Sequence, residues 1–76
     1  MSYGYSQNLV EANKRANARF LGVALGRICI RKRISVRQIA ERFGVSRMTV
    51  YNWFRGANSP HSNYTEAIQR YMKSIR

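Results

Sequence analysis

Acidic residues are nearly missing from this chain. It has no aspartate, and its only carboxylate side chains are Glu11, Glu41 and Glu66. Carboxylates so far apart do not pair by spacing into the acid and base that proton-transfer catalysis needs. His61 stands alone beside Pro60, with neither a cysteine nucleophile nor a metal partner near it in sequence. No glycine-rich phosphate loop is present. The expectation from these absences is no catalytic residue, no metal, no cofactor and no small-molecule substrate. The single cysteine, Cys29, excludes an internal disulfide and a cysteine-based zinc site. Flanked by Ile28 and Ile30, it reads as a small buried residue. One proline and five glycines are too few for a disordered composition. No apolar run approaches the roughly 18 residues of a membrane span. The N-terminal stretch MSYGYSQNLVEANKR lacks the apolar core of a signal peptide. A reducing, cytoplasmic setting without membrane association follows as an expectation.

Positive charge, in contrast, is abundant. Fourteen Lys and Arg against three Glu give a formal net charge of +11 and a pI near 11.2. Such a chain is drawn to polyanions: nucleic acid, an anionic membrane or an acidic protein. Twelve of the fourteen cations lie between Lys14 and Arg70, so the charge belongs to the body of the chain and is no detachable tail. Eleven are arginine, whose planar fork matches phosphate and guanine. With 76 residues the chain makes one domain. A domain this small buries only about 60% of its extended-chain surface, which disfavours a deep cleft. Hydrophobic residues, at 45%, still suffice for a core.

The apolar residues recur with helical period and no convincing strand. After an irregular start over residues 1–7, Asn8 and Glu11 have the spacing of a capping box. From there to about Arg31 little stops a helix except Gly22 and Gly26, which allows one long helix or two joined near residues 19–22. Leu21, Leu25 and Ile28 mark one face. Ser35 is placed to cap a helix whose apolar face is Val36, Ile39, Ala40 and Phe43. Gly44 ends it, since glycine tolerates the left-handed conformation. Ser46 caps the next helix, with Val50, Trp53 and Phe54 as its apolar positions; Gly56 and residues 57–60 end that one. Ser62 or Asn63 caps a last helix, with Glu66 completing a box from Asn63. Its apolar positions are Tyr64, Ala67, Ile68, Tyr71, Met72 and Ile75.

Residues 36–55, VRQIAERFGVSRMTVYNWFR, meet the demands of two short helices joined by a tight turn. Ala40 is small where the second helix passes close to the first, and Gly44 can take positive φ in the turn. Ile39, Phe43, Val45, Val50 and Trp53 are apolar where the helices join. This stretch resembles the helix-turn-helix family of phage repressors and Cro proteins, the lambda-repressor-like domains. The resemblance extends over residues 21–60. It includes Leu21, Gly22, Leu25 and Ile28 in the first helix, Ser35 before the second, and Trp53, Gly56 and Pro60 after the third. It implies an all-α fold, a small bundle of four or five helices. The domain itself is expected over residues 19–76, with residues 1–18 as an N-terminal extension, either an arm or an extra helix. Tyr3 and Tyr5 in that extension are free tail residues or stacking groups.

The resemblance further implies that residues 46–55 form a recognition helix entering the major groove of double-stranded DNA. Its base-contacting positions match Arg47, Met48 and Asn52, with Tyr51 beside them. Arginine can fork to guanine, asparagine can pair with adenine, and methionine can touch a thymine methyl. The bland alternatives are a solvated face for Arg47 and Asn52 and packing for Met48 and Tyr51. Ser46, Thr49 and Arg55 suit phosphate, as do Arg37 and Gln38 at the start of the second helix. The basic cluster before the motif, Arg27, Arg31, Lys32 and Arg33, is either a phosphate contact or a solvated face. Two departures from the family stand out. Val36 occupies a position where relatives often carry a phosphate-binding Gln, so that contact does not carry over. Phe54 replaces a frequent acidic residue and suits either a subunit interface or the core.

The function implied is sequence-specific transcriptional regulation by a phage-type repressor, binding as a homodimer because one helix reads few bases. Non-specific nucleic-acid binding, or a protein- or RNA-binding helix-turn-helix, is the alternative. A membrane-active amphipathic peptide is a third class, with residues 19–33 as its nearest approach, but it has no use for an ordered helix-turn-helix.

Overall fold

The computed structural model describes residues 6–76, which form five α-helices, one 3-10 turn and no strand. Tyr3 and Tyr5 lie outside the described residues. The helices are α1 (Gln7–Arg15), α2 (Leu21–Lys32), α3 (Val36–Phe43), α4 (Arg47–Phe54) and α5 (Thr65–Ile75), with the 3-10 turn at Ser62–Tyr64. This is the small all-helical bundle that the apolar periodicity predicts. No helix among the described residues is long and apolar enough to cross a membrane.

Three ends differ from the sequence expectation, each for a local reason. Ser6, not Asn8, caps α1, its hydroxyl accepting from the Leu9 amide at 3.1 Å. Glu11 is instead an outward residue that accepts from Gln7 and sits 3.8 Å from Arg15. Residues 7–32 are two helices, and the break falls at residues 16–20, before either glycine of α2. There the Asn17 side chain accepts from the Arg19 amide, a local turn that competes with helix. The last helix starts at Thr65 with no side-chain cap. His61 rather than Ser62 or Asn63 is the capping side chain, its Nδ1 accepting from the Asn63 amide at 3.1 Å at the start of the 3-10 turn. Glu66 pairs with Arg70 at 3.1 Å. Ala67, expected on the apolar face of α5, is exposed.

The core is one cluster. Leu25 and Cys29 of α2, Ile39 of α3, Val50 and Phe54 of α4 and Ile68 of α5 are all fully buried within it. Leu9 of α1 joins the same cluster, so the extra helix shares the core of the rest. Phe54 is core, not surface. Burial pushes the Cys29 thiol from its ordinary 9.0 up to about 12, because a thiolate has no solvation there. Tyr71 is raised too, first by burial, then by Cys29, against a lowering by Arg42, whose guanidinium lies 4.8 Å from its ring centre.

Glycine inside α2 is a packing residue. A Cβ on Gly22 would lie 2.8 Å from Trp53 Cβ and 2.9 Å from Trp53 O; one on Gly26 would lie 2.7 Å from both Asn13 Nδ2 and Phe54 Cγ. The two glycines let α2 and α4 approach closely along successive turns. The left-handed position at the end of α2 is filled by Arg33, at φ 62°. That conformation costs a side-chain-bearing residue about 1–2 kcal/mol. The Ile34 amide closes the motif on Cys29 O at 2.9 Å.

Two expectations follow. Gly22→Ala gains about 1 kcal/mol of helix propensity but meets backbone atoms that cannot yield, at a cost of about 1–3 kcal/mol. The net result is a lower melting temperature; a higher one would mean the helices are not in contact there. The folded state holds the Cys29 proton that the unfolded state releases above its ordinary value. Its contribution to stability is therefore intact below pH 9 and lost as pH rises from 9 toward 12. A Cys29→Ala variant should lose less stability than the parent on going from neutral to alkaline pH, as read by urea unfolding.

Candidate nucleic-acid interface

The helix-turn-helix is assembled by short-range chemistry before its surface is used. Ser35 caps α3 by accepting from the Gln38 amide at 3.1 Å, and the Gln38 side chain returns the bond by accepting from the Ser35 amide at 3.0 Å. This is the reciprocal box that satisfies two orphan donors. Val36, Ile39 and Ala40 form the buried stripe of α3. At its end Gly44 takes φ 67°, and the Val45 amide reaches Ala40 O at 3.0 Å. Ser46 then caps α4, its hydroxyl accepting from the Thr49 amide at 3.1 Å and meeting the Thr49 hydroxyl at 2.9 Å. These bonds fix the angle at which α4 leaves the turn.

The two faces of α4 divide cleanly. Val50, Trp53 and Phe54 are buried. Arg47 and Met48 are exposed, Met48 to 64%, and Tyr51 and Asn52 are half-buried. Of the four residues expected to read bases, Arg47 and Met48 thus lie on the outer side of α4 with Asn52 half-buried beside them, and Tyr51 packs partly against the core. A lone exposed methionine is ordinary on a protein surface; here it lies beside an arginine at the free end of the helix. Arg55, just past the helix, donates from Nε and Nη2 to Asn52 Oδ1 at 3.2 and 3.0 Å. That leaves the Asn52 amide group as its ready donor. Bidentate pairing with adenine requires Oδ1 as an acceptor as well, so Arg55 must share that oxygen or release it.

The residues expected on phosphate are dispersed. Arg37 is exposed and bonded to Glu41 at 3.0 Å, an exposed pair of the kind worth about 0–1 kcal/mol, which an incoming phosphate can displace. Gln38 has its carbonyl engaged in the cap and only its amide group left to donate. Ser46 and Thr49 are committed to each other at the start of α4. Arg31 and Lys32 occupy the exposed last turn of α2, where cations complement the helix dipole in any case. Arg31 lines a groove between α1 and α2 with Val10, Lys14 and Arg27. Met48, Tyr51 and Arg55 line a different one, between α1 and α4. Arg31 is thus not brought together with the outer face of α4.

Two residues tie α1 to the rest of the bundle: Asn13, which sequence reasoning missed, and Arg27, which it read only as part of the basic run. Asn13 is 2% exposed, and its amide group donates to Val23 O at 3.2 Å and to Phe54 O at 2.6 Å. Phe54 O belongs to the last turn of α4, where carbonyls lack helical partners. Arg27 performs the same service for α1, donating to Lys14 O at 3.0 Å and Ala16 O at 2.8 Å. Nothing at Asn13 or Arg27 distinguishes them in the sequence from solvated polar residues on a helix. The one hint is Gly26, whose missing side chain makes the space for Asn13. Among the described residues no three His, Cys, Asp or Glu side chains gather where a metal ion could sit.

Residues 23–60, from the first turn of α2 to just beyond α4, match the family model of a homeodomain-like domain. Comparison with curated proteins returns no match, and comparison with solved structures returns none. The matched span is half the chain and leaves out α1 and α5.

Proposed function

This chain belongs to the homeodomain-like family of helix-turn-helix DNA-binding domains, and we propose that it is a sequence-specific transcriptional regulator that reads double-stranded DNA with α4. The observation that carries the proposal is the division of α4. Val50, Trp53 and Phe54 are turned into the core, while Arg47 and Met48 are exposed, Asn52 is half-buried beside them and Tyr51 is half-buried against the edge of the core. That set combines a guanine-type donor, a methyl contact and an amide. The net charge of +11 supplies the sequence-independent attraction that such reading is built on. Repression is the simplest action: the protein occludes a promoter, and occupancy requires neither catalysis nor a cofactor. A phage-type, Cro-like repressor of the cytoplasm is the finer reading, and it rests on the resemblance of residues 21–60. Binding as a homodimer follows from the short stretch of bases one such helix can read. The exposed edge of α5 supplies half-buried Tyr71 and Ile75 for an interface.

The direct test is selection of bound duplexes from a random library at physiological salt. A short palindromic site supports specific reading by a dimer. Good binding without enrichment favours the alternative, a non-specific nucleic-acid-binding module. On the selected site, Arg47→Ala should cost about 1–3 kcal/mol, with little change on unrelated DNA. Equal losses on both would remove Arg47 from base reading. Arg37→Ala should weaken all sequences alike and flatten the dependence of affinity on salt by roughly one phosphate contact. A loss confined to the selected site would contradict a backbone role.

A further inference from the structure

The helix outside the family match, α1, lies against the proposed reading helix, not apart from it. The ends of the two helices meet where Asn13 bonds Phe54 O and where a Cβ on Gly56 would come within 3.3 Å of Ala16 Cβ. Toward their starts a groove runs between them, lined by Ser6, Asn8, Leu9 and Ala12 on one side and by Met48 and Tyr51 of α4 on the other, with Arg55 from just past α4. The two helices therefore run side by side in the same sense, with their first turns adjacent. Each residue advances a helix by about 100°, so Tyr51 and Trp53 lie about 200° apart around α4. Trp53 meets Phe43 of α3, its ring centre 6.3 Å away, while Tyr51 meets the groove of α1. Thus α1 and α3 flank α4 on opposite sides.

We propose that Asn8 is a further DNA-contacting residue: α1 forms the second flank of the DNA-reading surface, and the Asn8 amide donates to a backbone phosphate on the side away from α3. The proposal rests on the assignment of α4 as the reading helix. A duplex whose major groove receives α4 has a sugar-phosphate backbone on each side of that helix. On one side stands α3, which carries Arg37 and Gln38. On the other stands the first turn of α1. Asn8 is exposed there, on the wall shared with Met48 and Arg55. Its side chain makes no hydrogen bond to another described residue, in contrast to Gln7, which bonds Glu11, and Asn13, which is buried. The rest of that wall is Leu9, Ala12 and the capping Ser6, whose hydroxyl is engaged with the Leu9 amide, so Asn8 carries its one side-chain amide. Around α1, Glu11 lies about 60° and Arg15 about 20° from Asn8, and the Glu11 carboxylate is paired with Arg15 at 3.8 Å.

The test compares charge changes at Asn8 with the same changes at Gln69, which is exposed on α5 beside Leu21 and Arg76. Affinities are measured on the duplex selected above and on unrelated DNA, over a range of salt. Asp in the first turn of a helix favours folding, so Asn8→Asp should keep its melting temperature while losing about tenfold or more in DNA affinity through like-charge repulsion at a close contact. Gln69→Asp should lose far less. Asn8→Lys should tighten binding on both DNAs and steepen the salt slope by about 0.9, and Gln69→Lys should leave the slope unchanged. Equal effects at the two positions would overturn the role of Asn8, even with Arg47→Ala behaving as a base-reading loss. If Arg47→Ala also leaves binding to the selected site intact, the assignment of α4 itself fails and takes this proposal with it.

Discussion

The close approach of α2 to α4 is the constraint on which the rest of the structure depends. Two glycines four residues apart, Gly22 and Gly26, put bare backbone against Trp53 and Phe54. With side chains there, α4 could not sit where its inner face completes the core, and its outer face would not be presented at a fixed angle. The contact is also the reason two helix-weakening residues persist inside α2. Each costs about 0.5–1 kcal/mol in propensity relative to Ala, offset by burial of the largest side chains in the protein.

The same junction explains the polar network around α1. Drawing two helices so near leaves the carbonyls of Val23 and Phe54 short of water, and Asn13 supplies both with a donor. A buried amide is costly unless satisfied; here each bond ties a different helix to α1. Arg27 then closes the far end of α1 by donating to its terminal carbonyls. The consequence for function is mechanical. The last turn of α4 is held by a helix that the family match does not include, so α1 serves as a brace as well as a flank.

Charge works against this compactness. The fourteen cations repel one another, and the three ion pairs among the described residues, Arg15–Glu11, Arg37–Glu41 and Arg70–Glu66, are all exposed and at i,i+4 spacing. Such pairs contribute a few tenths of a kcal/mol each. The cations are tolerated because they lie outside the core, with Arg27 bonded to the carbonyls at the end of α1. A polyanion relieves the repulsion, which links folding and binding through the same charges.

Much was legible from the residues alone. Ser35, Gly44 and Ser46 carry their structural role in their own chemistry, since a hydroxyl at a cap and a glycine at positive φ act within three or four residues. The inward faces of α3 and α4 followed from period, whereas the positions of Arg47 and Met48 came from the family resemblance, with packing left open for Met48. Local signals were also ambiguous where two candidates stood within a few residues. Asn8 looked like a cap where Ser6 acts, and Ser62 and Asn63 drew attention from His61. Only tertiary structure decided the rest: that Gly22 and Gly26 are contacts and not breaks, that Phe54 is core, that Asn13 is buried, and that α1 lies beside α4. The physical reason is range. Caps and periodicity are settled between neighbours in the chain, whereas the meaning of a glycine or an asparagine inside a helix depends on which distant helix is pressed against it.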